Sequence, residues 1–198
     1  MKPLVTLVLA LTAALSRAQI DPQGNPVSCE FKRAGIRVVL ESLFKQVGMS
    51  FTMQKGIAGD ISVRLKGVKF GTALMEVLRS SYLTYRIEGG VFEIVRQERG
   101  SNEPEPEPTI AMPGLTALKT PAVTARKEPA RELLWRILAK SGQNFVIGAQ
   151  VVAPITGRFP AQLLEETLAA IALKSKSSLN YRSGVWVLGG SYAGSGGY

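Results

Sequence analysis

The residues of this chain that could perform acid–base chemistry are all carboxylates, because the sequence contains no histidine. Histidine is the usual general base near neutral pH and the commonest metal ligand, so its absence removes both roles. The carboxylates form neither a catalytic pair nor a metal-binding spacing, and we interpret them as solvated helix faces or acidic helix starts. The sequence therefore predicts a protein that is not an enzyme and has no metal or cofactor. The carboxylates considered are Glu41, Asp60, Glu76, Glu165 and Glu166.

The only other nucleophile of interest is Cys29, the single cysteine of the chain. One cysteine cannot form an intramolecular disulfide, so stability must come from packing. Cys29 lies in the alternating run VSCEF, which favours a packed strand position over a reactive thiol.

Basic residues supply the remaining polar chemistry. The formal net charge is +9, which favours acidic partners such as nucleic acid or anionic lipid. Arg64 and Arg158 each lie in the middle of an alternating strand, where we interpret them as ordinary polar alternation; the alternative is a cationic contact on the outward face. The basic pairs Lys32-Arg33 and Arg126-Lys127 come without a glycine-rich phosphate loop or an RNA-binding aromatic signature, which disfavours nucleic acid without excluding it.

The first residues predict export. Met1 and Lys2 precede the apolar run Pro3–Leu15, and small residues at Ser16 and Ala18 follow. We interpret residues 1–18 as a secretory signal peptide, with an uncleaved N-terminal anchor as the alternative. Its removal takes Lys2 and Arg17 and leaves 22 basic and 15 acidic residues, net +7. We expect a periplasmic protein, or one associated with the outer membrane, with no transmembrane segment after cleavage.

A proline-rich segment divides the chain. Residues 98–120 include EPEPEP at Glu103–Pro108, a composition that predicts an extended, semi-rigid spacer. We expect it to hold two units apart, residues 26–97 and 121–190, and residues 191–198 read as a flexible glycine- and serine-rich tail.

The two units carry one pattern. An offset of 94 residues aligns them without a gap over about 70 positions, which indicates an internal duplication. The identical pairs are Arg37/Arg131, Leu40/Leu134, Gly48/Gly142, Phe51/Phe145, Ile61/Ile155, Arg64/Arg158, Leu74/Leu168, Ser81/Ser175, Gly90/Gly184 and Val91/Val185.

Hydrophobic periodicity gives the elements of each unit. In the first unit a helix runs from Ile36 to a stop at Gly48, a second is centred on Leu74, and a hairpin turns at Gly89-Gly90. In the second unit Pro129 suits the first turn of a helix. Both units have the order βαββαββ, which predicts an α+β fold with two helices packed on short mixed sheets in each of two small domains. We expect neither core to be enlarged by the duplication.

The first unit carries a recognisable pattern of glycines and apolar positions, namely Phe31, Gly48, Ile57 with Gly59, Val63 with Leu65, Ala73 with Leu74, and Leu83 with Tyr85. In these residues it resembles the secretin and TonB short N-terminal domain family, as found in the secretins of type IV pilus and type II secretion systems. The second unit is similar to the form of this family seen on TonB-dependent transducers. The chain departs from many secretin copies at Val68-Lys69-Phe70, where those have Val-Pro-Trp, and the resemblance implies a secretin-like protein without the pore.

The resemblance implies a non-catalytic interaction module whose partner is an envelope protein of a secretin, pilus or secretion assembly, including a ring-forming secretin. Small domains with exposed sheet edges bind by adding a strand, and we expect the first strand of each unit to be such an edge. Two alternatives stay open: binding of nucleic acid or another anionic polymer, and signalling beside a TonB-dependent receptor. The residues predicted to contact a partner are Val27, Cys29, Phe31, Val123, Arg64 and Arg158.

Overall fold

The computed structural model describes residues 24–97, Ile110 and 118–189. The predicted signal peptide, the EPEPEP stretch and the tail after residue 190 lie outside the described residues. None of the helices in the described ranges is long and apolar enough to cross a membrane.

The first half has the predicted order βαββαββ. Helix α1 forms because its apolar residues recur on one face, and it ends where Gly48 adopts a left-handed φ of 68°. The tight turn of the last hairpin uses positive φ at Gly89 and Gly90. The elements are β1 (Pro26–Gly35), α1 (Ile36–Val47), β2 (Phe51–Met53), β3 (Asp60–Lys69), α2 (Phe70–Arg79), β4 (Leu83–Glu88) and β5 (Val91–Arg96).

The second half repeats the order and adds two short strands that pair with each other, one of them inside the predicted spacer. Pro129 is not the first helical residue as predicted: its ψ of 132° is extended, so it ends a strand and the helix begins one residue later. The elements are β6 (Lys119–Thr120), β7 (Val123–Pro129), α3 (Ala130–Ser141), β8 (Asn144–Ile147), β9 (Pro154–Phe159), β10 (Gln162–Leu163), α4 (Leu164–Lys174), β11 (Ser178–Arg182) and β12 (Val185–Gly189).

Apart from the β6–β10 pair, each half contributes one two-stranded and one three-stranded arrangement. In the first half β1 pairs with β3, and β2, β5 and β4 form a separate sheet. In the second half β7 pairs with β9, and β8, β12 and β11 are the equivalent three strands. The α+β fold class is confirmed.

The halves are joined through their sheets. Strand β3 pairs with β8, which produces one five-stranded sheet in the order β1-β3-β8-β12-β11. Two of its strands therefore come from the first half and three from the second. The expectation that the spacer holds two units apart is corrected by this shared sheet, since the units are in direct contact along β3 and β8.

The cores are also shared. One apolar cluster is built almost entirely from the first half and the other from the second, but the first also contains Val146, Val185 and Val187. These valines alternate along β8 and β12 with residues that face the second core, such as Phe145 and Trp186. The expectation that duplication enlarges neither core is therefore wrong, because the second half completes the first core.

Candidate interaction surface

The junction between the halves is an antiparallel strand pair. Ser62 lies opposite Ile147, Val63 opposite Val146, and Arg64 opposite Phe145. Antiparallel strands pair readily when both edges are free, because each edge presents a row of unpaired N–H and C=O groups. The backbone amide of Lys66 extends the contact by donating to the side-chain oxygen of Asn144 at 2.8 Å.

Arg64 crosses this junction. Its Nη1 donates a 2.6 Å hydrogen bond to the carbonyl oxygen of Ala139, in the last turn of α3. The last carbonyls of a helix lack partners within the helix and lie at its negative end, so a cation is favoured there. Arg64 also lies 3.4 Å from the carboxylate of Glu30. Its role is a cationic contact between the halves, rather than the polar alternation that the sequence favoured.

Further polar contacts surround the strand pair. Lys32 of the first half forms a 2.8 Å ion pair with Glu132 of the second. Gln150 Nε2 donates to the carbonyl oxygen of Ser80, the residue that ends α2, at 2.9 Å. The junction therefore combines main-chain pairing, apolar packing and polar contacts at both of its ends.

Glu76 is buried at the same junction, with only 4% of its surface exposed. It lies 3.3 Å from Arg79 on its own helix and near Arg182 of β11. Burial raises the pKa of its carboxyl group, and the two arginines oppose that effect. The interpretation of Glu76 as part of a solvated helix face is wrong. Glu165 does lie in the first turn of α4, as expected of an acidic helix start, but it is only 7% exposed rather than solvated.

The raised pKa of Glu76 predicts a pH dependence of stability. A carboxyl whose pKa is higher in the folded state binds its proton more tightly there, so acidification stabilises the folded chain relative to one without that group. We expect the free energy of unfolding of the wild type to rise, relative to that of Glu76→Gln, as the pH falls from 7 to 4.5. Urea denaturation of both proteins across this range checks the prediction, and a difference that stays constant with pH would contradict it.

The predicted partner-binding residues of the first strands face inward. Val27 and Val123 are buried, and Cys29 and Phe31 are half-buried against the first core. Burial raises the pKa of the Cys29 thiol to about 11, which keeps it protonated at neutral pH. What these strands present outward is their main chain: β1 is the first strand of the five-stranded sheet, and β7 has β9 on one side only.

Two further sheet-edge strands among the described residues are the repeats of the strands that pair at the junction. Strand β9 is the repeat of β3, and β2 is the repeat of β8, yet neither pairs with a further strand. Arg158 of β9 is exposed. Its main chain pairs with β7, but its side chain makes no hydrogen bond or ion pair within the described chain. The interpretation of Arg158 as a polar residue on the outward face of its strand thus fits the structure, whereas its repeat Arg64 bonds to the other half.

Three valines of the second half that the sequence did not predict as contact residues pack into the first core at the junction, namely Val146, Val185 and Val187. The sequence did contain a signal. The segments NFVI and VWVL are apolar at every position except Asn144, a pattern typical of strands buried on both faces. The equivalent first-half strands, FTM and VFEIV, alternate with the polar residues Thr52 and Glu93.

A cavity of about 440 Å³ lies where the halves meet. Its walls include Ile36 and Tyr82 from the first half and Gln150 from the second. In the described ranges no three histidine, cysteine, aspartate or glutamate residues lie close enough together to hold a metal ion.

Comparison with known proteins gives structural matches alone. No protein family matches the chain, and no curated protein is similar to it. The N0 domain of the type II secretin from enterotoxigenic Escherichia coli matches 36% of this chain and 95% of its own, at 17% identity and a TM-score of 0.33.

A dimeric cysteine mutant of the N-terminal domain of the secretin XcpQ from Pseudomonas aeruginosa is also similar. It matches 55% of this chain at 17% identity and a TM-score of 0.34, and this chain spans less than half of it, 45%. Both similar structures are N-terminal secretin domains. At these scores neither likeness bears on the partners or activity of this chain.

Proposed function

We propose that this chain is an exported, non-catalytic protein-interaction module that docks onto another envelope protein of a type IV pilus or type II secretion assembly through an open strand edge. The observation that carries the proposal is the β3–β8 pair, because it is a binding event between two domains of the proposed kind. Strand addition supplies main-chain hydrogen bonds at any free edge, and neighbouring side chains give it specificity.

Strand β1 is the edge we propose for the envelope partner. It has 10 residues and has only β3 as a neighbour in the described sheet. Its inward side chains anchor it to the core, so its outer main chain is held in an extended conformation. Glu30 and Lys32 of this strand are exposed, although each already forms an ion pair within the chain, with Arg64 and with Glu132 respectively.

The sequence resemblance supplies the class of partner. The glycines and core positions shared with the secretin and TonB short N-terminal domain support an envelope setting, and the observed βαββαββ order agrees with that family pattern. A mature charge of +7 also suits an anionic polymer, and that alternative predicts binding that falls steeply with salt.

Photo-crosslinking from defined positions tests this proposal. A photoreactive amino acid is placed at Glu30 of β1, at Thr124 of β7 or at Glu41, an exposed residue of α1 that serves as the matched control. We expect crosslinks to a secretin or pilus-assembly protein from the strand positions at both low and high salt, and none from Glu41.

Two results would overturn the proposal. Equal crosslinking from Glu41 and from the strand positions would show that the edges are not the docking surface. Recovery of nucleic acid or anionic polymer alone, lost at high salt, would replace this proposal with the electrostatic one.

A further inference from the structure

We propose that this chain associates head to tail with further copies of itself, with strand β9 of one copy pairing to strand β2 of the next. The internal junction is the template. It joins β3 of one repeat to β8 of the other, and the repeats of those two strands, β9 and β2, each end a sheet with no further strand beside them in the described chain. This surface is distinct from the β1 edge proposed for an envelope partner.

The repeat offset of 94 fixes the expected register. At the internal junction Val63 lies opposite Val146 and Arg64 opposite Phe145. Transferred to the open edges, this register places Gly157 opposite Thr52 and Arg158 opposite Phe51. Arg158 would then reach the carbonyl oxygen of Lys45 in the last turn of α1, as Arg64 reaches that of Ala139.

Two of the ten identities between the repeats, Phe51/Phe145 and Arg64/Arg158, lie at these positions. In each pair the member at the internal junction is the more enclosed one: Phe145 is fully buried, and Arg64 bonds across the junction. Their repeats lie on the open edges: Phe51 is half-buried and Arg158 is exposed. The residue types that form the internal contact are therefore repeated at the open edges, where no further strand pairs with them in the described chain.

The faces beside the open edges carry charged groups where the internal junction has valines, and one of them, the Glu93 carboxylate, accepts a 2.6 Å hydrogen bond from Arg86 Nε. Along the internal sheet, Val63, Val146 and Val187 form an apolar row. The repeats of these three valines are Gly157, Thr52 and Glu93, and they would form the corresponding row at the open edges. Within that row, Thr52 already lies beside Glu93 because β2 pairs with β5.

Lys174 supplies the opposite charge on the other copy. Its Nζ lies 3.9 Å from the position that a Cβ on Gly157 would occupy. Gly157 is the repeat of Val63, so Lys174 lies on the face of the sheet that corresponds to the one Val63 occupies in the first half. Pairing would therefore bring the Lys174 ammonium group over the row that contains the Glu93 carboxylate. Charged groups across an interface fix its register and select the partner, and here they replace the valines of the internal junction.

Such an interface is heterologous, because the two surfaces that meet are different. A heterologous interface leaves one free edge of each kind after every addition, so it builds a ring or an open filament rather than a closed two-fold dimer. Each open edge is therefore expected to bind the complementary edge of another copy of this chain.

Cysteine crosslinking tests the register. In a Cys29→Ser background, one chain carries Met53→Cys and the other Thr156→Cys, and the mixture is oxidised. These positions lie opposite each other in the proposed register, so we expect a disulfide-linked heterodimer. The matched control replaces Met53→Cys with Thr52→Cys, a one-residue shift that moves the thiol to the other face of the sheet. Adding Arg158→Ala to the Thr156→Cys chain should slow crosslinking roughly tenfold, because a charged hydrogen bond is lost.

Sedimentation equilibrium of the chain without these substitutions gives an independent readout. We expect a weight-average mass that rises with concentration beyond that of a dimer. A constant monomer mass up to millimolar concentration, or equal crosslinking from the in-register and shifted pairs, would overturn the proposal. Both readouts use the protein alone, so their failure leaves the envelope partner proposed above untouched.

Discussion

Replacing Val146 with lysine should unfold most of the protein at temperatures where the wild type is intact. Val146 is fully buried in the middle of the five-stranded sheet and packs in the first core. An unpaired ammonium group at such a site costs about 3–5 kcal/mol, which is a large part of the stability of an ordinary domain. We expect a fall of about 10 °C in the midpoint of thermal unfolding, measured by circular dichroism.

The repeat provides the control for this change. Thr52 occupies the same position in the first half, but it is exposed on the open edge of β2, beside Glu93. Thr52→Lys should change the free energy of unfolding by no more than about 0.5 kcal/mol. Similar losses from both lysine substitutions would contradict a sheet that continues from β3 into β8.

Replacing Gly148 with alanine should be the second most damaging change. A Cβ at Gly148 would collide with the backbone carbonyl oxygen of Ser80, where the end of α2 meets the second half. A backbone atom cannot move aside as a flexible side chain can, so helix and strand must separate and lose their packing. We expect a loss of about 3 kcal/mol, measured by urea denaturation.

Gly35→Ala is the matched change at an open position. Nothing lies within 4 Å of a Cβ at Gly35, and its φ of −57° is accessible to alanine. Alanine restricts the unfolded chain more than glycine does, so a gain of about 0.4–1 kcal/mol is expected. Equal losses at Gly35 and Gly148 would show that the contact with Ser80 does not decide the effect.

The elements of the fold were predictable because each leaves a local signature. The spacing of Ile36, Leu40 and Leu43 predicted α1, and Gly48 predicted its end, as observed. The double glycine at Gly89-Gly90 likewise predicted the turn between β4 and β5. These signals depend on neighbours within a few residues, and the duplication repeated them in the second half.

The pairing of β3 with β8 was not predicted because no local pattern specifies which edge a strand will find. Alternation in ISVRL places Val63 and Arg64 on opposite faces, but it does not reveal that Arg64 has a helix end of the other half to contact. The burial of Glu76 and its position near Arg182 of β11 likewise follow from the folded arrangement of the two halves and not from the local sequence. Only the unbroken apolar run in VWVL indicated a second buried face.

Val185 and Val187 pack in the first core, so that core cannot be completed until β12 is in place. These valines lie on β12, the last strand described, whereas most of the core they complete lies before Arg96. During N-to-C synthesis the apolar face that they cover stays exposed until β12 has been made. Contacts so distant in sequence slow folding and prolong the time during which apolar surface can aggregate. Timely folding of the first half therefore depends on how quickly the last strand becomes available.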